Sequence, residues 1–255
     1  MDGFVTMIYR QIKRFINSRS RFVMSIVNPI IWIIFFGLGW SNVFRFPEAK
    51  VIFGGLDYLT YLASGMVAMS IIMSSFMSGM SVIWDKRFGF LKETLVAPAS
   101  RAEVILGRAF GDSIISVFQG LIILIFMYFI TSKINLLGVL PALTYGLILA
   151  MCFTSFGLVI ALKLSSMEGF QMIINLMTMP LLFLGGIFYP IDSLPEWIKV
   201  IAYINPVTYA VDGMRYSLTR VSKFEPIVDV FILSSLAAIM SVLAVRSYNS
   251  TTIED

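Results

Sequence analysis

The sequence predicts an all-α membrane protein: six transmembrane helices, an N-terminal interfacial amphipathic helix, and short re-entrant helices before the last span. Three observations predict it. Apolar residues make up 58% of the 255 and charged residues 13%, about half the roughly 25% charged content of a soluble domain. Six stretches, near 22–44, 58–83, 108–131, 139–163, 169–188 and 227–245, are apolar over the roughly 20 residues a helix needs to cross a bilayer. The first 21 residues are instead two-faced and basic. The whole chain, 1–255, reads as one transmembrane domain: an interfacial helix over 1–21, two spans over 22–83, a polar elbow over 84–108, three spans over 109–188, a re-entrant segment over 189–226, and the sixth span and tail over 227–255.

Within residues 2–18, Phe4, Val5, Ile8, Ile12, Phe15 and Ile16 fall on one helical face and Arg10, Lys13, Arg14 and Asn17 on another. That pattern describes a helix lying in the membrane interface; a plain basic leader is the alternative. Basic residues precede any long apolar run, so no cleavable signal peptide is expected and the first span serves as the insertion signal. Asn28-Pro29 predicts a kink in the first span and Pro180 one in the fifth.

Alternating the spans assigns Arg10, Lys13, Arg14, Arg19, Arg21, Lys86, Arg87, Lys92, Arg101, Arg108, Lys163 and Arg246 to the side of the N-terminus. Arg45, Lys50, Lys133, Lys199, Arg215, Arg220 and Lys223 fall on the other side. Twelve against seven puts both termini and the 84–108 segment in the cytoplasm of a multi-pass plasma-membrane protein. The net charge of +4 is spread over membrane flanks, which suits lipid contact and not a nucleic-acid patch.

In the second span Met66, Met69, Met73, Met77 and Met80 form one helical stripe, with Ser70, Ser74 and Ser78 beside it. Small residues four apart let helices approach closely, and methionine gives an adaptable apolar surface. Gln171, Asn175 and Thr178 make a polar stripe along the fifth span. Each stripe suits either a substrate route or ordinary packing, and spacing does not separate the two. Asp112, four residues after Arg108, is expected to pair with it near the interface.

Residues 84–108 interrupt the greasy chain with "RFGFLKETLVAPASRAEVILGR" over 87–108. Gly89 and Pro98 bracket about two turns of helix, and Ser100 with Glu103 has the spacing of a capping box that starts a new helix. Residues 189–226 carry similar signals. Ser193 and Glu196 suggest a capped helix over 194–204, too short to cross. Asn205-Pro206 suggests the cap and first turn of another, in which Asp212 and Arg215 pair at i, i+3. Two half-length amphipathic helices dipping into the outer leaflet are expected, as an outer gate or a dimer-stabilising lid.

"DKRFGFLKETLVAPASRAEVILGR" resembles the cytoplasmic loop of type-2 ABC exporter permeases, in the daunorubicin and multidrug branch; Arg87, Gly89, Glu93, Leu95, Pro98 and Ser100 occupy its characteristic places. "GGIFYPIDSLPEWIKVIAYINPVTYAVDGMR" (185–215) resembles that family's signature near the last span. The charged run before the first span that marks the polysaccharide branch is absent. The resemblance implies a transport subunit that pairs with a second permease copy and docks two cytoplasmic ABC ATPase subunits, which hold ATP and Mg. It implies a coupling helix at the elbow, with Lys92 and Glu93 as polar contacts and Phe90 and Leu95 as apolar anchors, and Arg101 among the ATPase-coupling residues. It also implies that the second and fifth spans line the route of an amphipathic or lipid-like compound. Tyr189, Pro190, Trp197, Asn205, Pro206, Tyr209, Asp212 and Arg215 would shape the outer gate.

This chain has no G-x-x-x-x-G-K-[ST] loop to cradle ATP, and no cofactor or metal is expected in it. It has no histidine and a single cysteine, Cys152, which excludes histidine bases, histidine-liganded zinc and an intrachain disulfide. A membrane enzyme would need a catalytic constellation, and Asp112 is the one intramembrane carboxylate expected. An ion- or proton-coupled carrier is the alternative transport reading; it calls for broken helices with buried charge at the midplane.

Overall fold

The computed structural model describes residues 3–41, 43–44, 49–131, 134–164 and 166–251, and no strand occurs among them. Arg45, Lys133 and the side chain of Arg21, counted above, lie outside what is described. The helices are α1 (Gly3–Ile16), α2 (Arg19–Trp32), α3 (Gly39–Ser41), α4 (Ala49–Ile52), α5 (Tyr58–Arg87), α6 (Phe90–Val96), α7 (Arg101–Ile130), α8 (Val139–Lys163), α9 (Met167–Leu184), α10 (Glu196–Ile204), α11 (Pro206–Thr219) and α12 (Pro226–Asn249). Among the described residues, six helical segments are long and apolar enough to span a bilayer: Phe22–Ser41, Tyr58–Arg87, Arg101–Ile130, Leu136–Lys163, Met167–Leu184 and Pro226–Asn249. The protein is an all-α membrane protein.

α5 and α7 each run 30 residues, about 45 Å at 1.5 Å per residue, against roughly 30 Å of hydrocarbon. α6 joins them at one end. α5 is the centre of the bundle, packed on α7, α8, α9 and α11. Leu62, Met66, Ile71, Ile72 and Ile83 along it are wholly buried, as expected of a helix apolar on all sides. α12 covers α8. Pro29 lies inside α2, which widens into a π-helical stretch at Ile33–Leu38, a common response to a lost backbone donor.

α1 lies across α7 on a Gly-x-x-x-Gly groove. A Cβ at Gly107 would fall 2.5 Å from the Phe4 carbonyl oxygen, and one at Gly111 3.1 Å from the Ile8 Cα. Bare backbone is what allows this approach. The buried residues of α1 are Met7, Gln11 and Phe15, while Val5 and Ile16, expected on the apolar face, are exposed. The helix therefore packs on protein through a narrow stripe and keeps further apolar residues on its surface.

The re-entrant segment departs from expectation in three respects. α10 begins at Glu196 with Pro195 as its N-cap and no side-chain cap, because Ser193 is taken up in the 3₁₀ turn Ile191–Ser193. Only α10 exposes an apolar face, with Trp197, Val200 and Ile204 outermost. α11 is instead a core element, wedged among α5, α8 and α12, with eleven of its residues buried. Asp212 and Arg215 do not pair with each other: Asp212 accepts from the Lys223 and Phe224 amides at 2.9 Å. Arg215 donates to the Gly186 carbonyl at 2.8 Å and lies over the Tyr61 ring at 3.7 Å.

Candidate functional site

The elbow is built by local signals. Gly89 takes φ +79° as the N-cap of α6, a conformation that favours glycine. Ala97 is extended, as the residue before proline prefers. The Ser100 hydroxyl accepts the Glu103 amide at 3.2 Å and opens α7. Tertiary contacts then fix the elbow to its surroundings. The Arg10 guanidinium sits 3.6 Å over the Phe90 ring, an attraction of cation to π-face. Thr94 bonds the Tyr248 hydroxyl at 2.8 Å, and Arg101 donates to the Asn249 carbonyl at 2.7 Å. Thus α1 and the last turn of α12 both hold α6 and the start of α7.

What the elbow exposes differs from the expected anchors. Phe90 lies under Arg10, and Leu95 packs on the core. The exposed large apolar side chains are Trp84, Phe88, whose ring stacks on it at 5.5 Å, and Val96. Arg87, Lys92, Glu93, Pro98 and Ser100 are exposed with them. The result is an outward ridge of mixed character on a fixed base.

Beneath the elbow, three arginines from two helices meet one carboxylate. Asp85 receives Arg108 at 2.7 Å, Arg10 at 3.2 Å and Arg14 at 3.5 Å. Arg108 also donates to Ser81 at 2.6 Å. The expected Arg108–Asp112 pair is therefore not formed; Asp112 instead accepts from Ser78 Oγ and from Gln11 Nε2 at 3.4 Å. Sequence reasoning missed Asp85 as the hub. Its signal was an acid inside the otherwise basic end of α5, with partners 71, 75 and 23 residues away.

A cavity of about 440 Å³ opens beside this cluster, between α1, α2, α5 and α7. Met73, Ser74, Met77, Ser78 and Ser81 of α5 line it together with Asp112, Ile115 and Gln119 of α7. Gln11, Arg14 and Phe15 of α1 and Met24, Asn28 and Pro29 of α2 complete the wall. The methionine stripe thus divides. Met66 and Met69 are core, Ser70 lines the cavity although its buried hydroxyl has no partner among the described residues, and the remainder of the stripe from Met73 to Ser78 lines the cavity. Gln171, Asn175 and Thr178 do not join it. Gln171 bonds Asn175 at 2.8 Å on a face of α9 shared with exposed Leu176 and Met179, and Thr178 bonds back to the Ile174 carbonyl.

At the opposite end of the bundle, a second cavity of about 330 Å³ is lined by Tyr61, Gly186, Pro190, Asp192, Asp212, Arg215 and Lys223 among others. Asn205 caps α11 through the Val207 amide and donates to the Leu181 carbonyl at 2.8 Å. Pro206 opens the helix, Tyr209 donates to the Tyr203 carbonyl at 2.6 Å, and Tyr189 is half-buried. Of the residues expected at the gate, Pro190, Asp212 and Arg215 line this cavity, whereas Trp197 points away from the bundle. Asp229, in the first turn of α12, is fully buried, and neither of its oxygens has a partner among the described residues.

Residues 2–219 match the family described as ABC-2 type transporter. The chain is 28% identical over 221 residues to "Putative transport permease ycf38" of Cyanophora paradoxa, covering 84% of this chain and 74% of the relative. It is 25% identical over 224 residues to "Inner membrane transport permease YadH" of Escherichia coli K12, covering 87% and 84%. A 162-residue stretch is 28% identical to "Probable multidrug ABC transporter permease YbhR" of the same organism, covering 62% and 43%. With six spanning helices and a match over most of its length, the chain belongs to the ABC-2 type transporter family as a membrane-spanning permease.

Proposed function

We propose that this permease is the transmembrane subunit of an ATP-driven exporter, coupled through residues 84–108 to a separate ATPase. The observation that carries the reading is the mounting of the elbow: an exposed ridge around Phe88, Lys92, Glu93 and Val96 on a base held by α1, α5, α7 and α12. A short helix tied at both ends transmits displacement instead of absorbing it, so motion of a partner gripping the ridge reaches α5 and α7 together. ATP and Mg belong to that partner, present in two copies, and a second copy of this chain completes the pathway. Both termini and the elbow face the cytoplasm, by the excess of Lys and Arg on that side. The cargo is an amphipathic compound. The amphipathic walls of the larger cavity support this, as does the multidrug designation of one E. coli relative.

The test is reconstitution with and without the ATPase. ATP-dependent movement of candidate amphiphiles only in the complete system is expected; equal movement by the permease alone overturns the reading. A Glu93→Cys variant should crosslink to the ATPase, and a thiol there that stays open to water-soluble reagents in the full complex counts against docking at the elbow.

A further inference from the structure

We infer that the cavity between α1, α2, α5 and α7 binds a phosphate-headed amphiphile, its anionic head on Arg14 and its chain along the methionine wall. The inference does not depend on ATP-driven export: it concerns occupancy of one protomer, whether the occupant is cargo or a resident lipid.

The charge count comes first. Arg10, Arg14 and Arg108 share Asp85, and Asp112 stands in the cavity wall. Among these described residues, three cations against two carboxylates leave a surplus of one positive charge where the cavity meets the bundle end. The three arginines are not equally committed. Arg108 is nearly buried, with the shortest contact to Asp85 and a second bond to Ser81. Arg10 has Asp85 and the Phe90 ring. Arg14 has only the longest contact, 3.5 Å, with its side chain 31% exposed, and it alone of the three lines the cavity. A guanidinium carries five N–H donors in a fork that matches phosphate oxygens, and most of the donors on Arg14 are uncommitted.

The remaining wall fits a chain. Phe15, Met24, Met73, Met77 and Ile115 supply the apolar part of the wall, and the exposure of Met24 (67%) and Met77 (46%) opens it sideways between α2 and α5. The volume lies within the roughly 300–1,000 Å³ of clefts that hold small ligands. Basic pockets between spanning helices on the cytoplasmic side are suited to anionic head groups.

The purified full chain would be titrated with phosphatidylglycerol and followed by native mass spectrometry, using Arg14→Gln and the exposed-site control Lys13→Gln. Both variants remove one charge from α1, while Arg10 and Arg108 still hold Asp85, so the fold is retained; unfolding temperature in detergent verifies this. Expected is one phosphatidylglycerol retained per chain in wild type and Lys13→Gln, weakened about tenfold in Arg14→Gln. Diacylglycerol, with no phosphate, should not be retained. Equal retention by the two variants would mean surface lipid only and overturns the site. Displacement of the lipid by millimolar inorganic phosphate would mean a plain anion site and overturns the amphiphile. Preferential retention of dodecyltrimethylammonium would reverse the charge assignment and overturns it as well.

Discussion

Arg108 Nη1 lies 2.7 Å from Asp85 Oδ2, across the α5–α7 interface, and not against Asp112 one turn further along its own helix. The Asp85 side chain is only 8% exposed and serves three guanidinium groups. Breaking a buried pair by removing one partner typically costs about 3–5 kcal/mol, because the other charge is left buried without compensation. Asp85→Asn is therefore expected to lower unfolding free energy by an amount in that range. Arg14→Gln, which removes the longest and most exposed contact, should cost well under half as much. Denaturation in detergent checks both, and equal losses would show that Asp85 is not the hub.

Gly107 lets α1 reach α7. A Cβ there would meet the Phe4 carbonyl oxygen at 2.5 Å, whereas one at Gly39 meets nothing within 4 Å. Gly107→Leu should lift α1 and expose Arg10, Lys13 and Arg14 to trypsin, while Gly39→Ala leaves the cleavage pattern unchanged. A protected α1 in Gly107→Leu would mean that the groove does not seat it.

The elements that could be read from the sequence are those set by neighbours along the chain. Apolar run length marked the six spans, Gly89 and Pro98 marked the elbow, and Ser100 and Asn205 marked helix starts that the backbone obeys. Where a side chain's partner comes from elsewhere, the local rule failed. Arg108 and Asp112 have pairing distance along a helix, yet Asp85, Ser78 and Gln11 take them instead. α11 reads as a surface helix because it contains Asp212 and Arg215. It is core because backbone groups near Gly186 and Lys223 satisfy both. Met66 and Met77 share one periodic stripe, yet Met66 is wholly buried and Met77 is 46% exposed, a difference that periodicity does not carry.

Two buried acids at the opposite end of the bundle from the elbow should respond differently to substitution. Asp212 accepts the Lys223 and Phe224 amides, and leaving such donors unmet costs about 1–3 kcal/mol. Asp229 is fully buried with no partner for either oxygen among the described residues, so Asp229→Asn removes an uncompensated buried charge while keeping the side chain's shape. Asp212→Ala should lower the unfolding temperature in detergent; Asp229→Asn should hold or raise it. A fall with Asp229→Asn comparable to that of Asp212→Ala would reveal a stabilising role that the geometry does not contain.

Lys223, in the loop between α11 and α12, ties that loop to Asp192. Burial pulls its ammonium down, but hydrogen bonds to Asp192 and to the Tyr203 hydroxyl outweigh it and hold the group above its ordinary value of 10.5. A pKa raised on folding contributes stability that is complete below the unfolded value and is lost as pH rises through the folded one. The tether should therefore be constant from neutral pH up to 10.5 and weaken only above it. The unfolding temperature of wild type should stay flat over that interval and then drop. Lys223→Met, lacking the proton to lose, should start lower and show a smaller alkaline drop. Parallel curves for the two proteins would show that the alkaline loss originates elsewhere, and that Lys223 does not pin the loop.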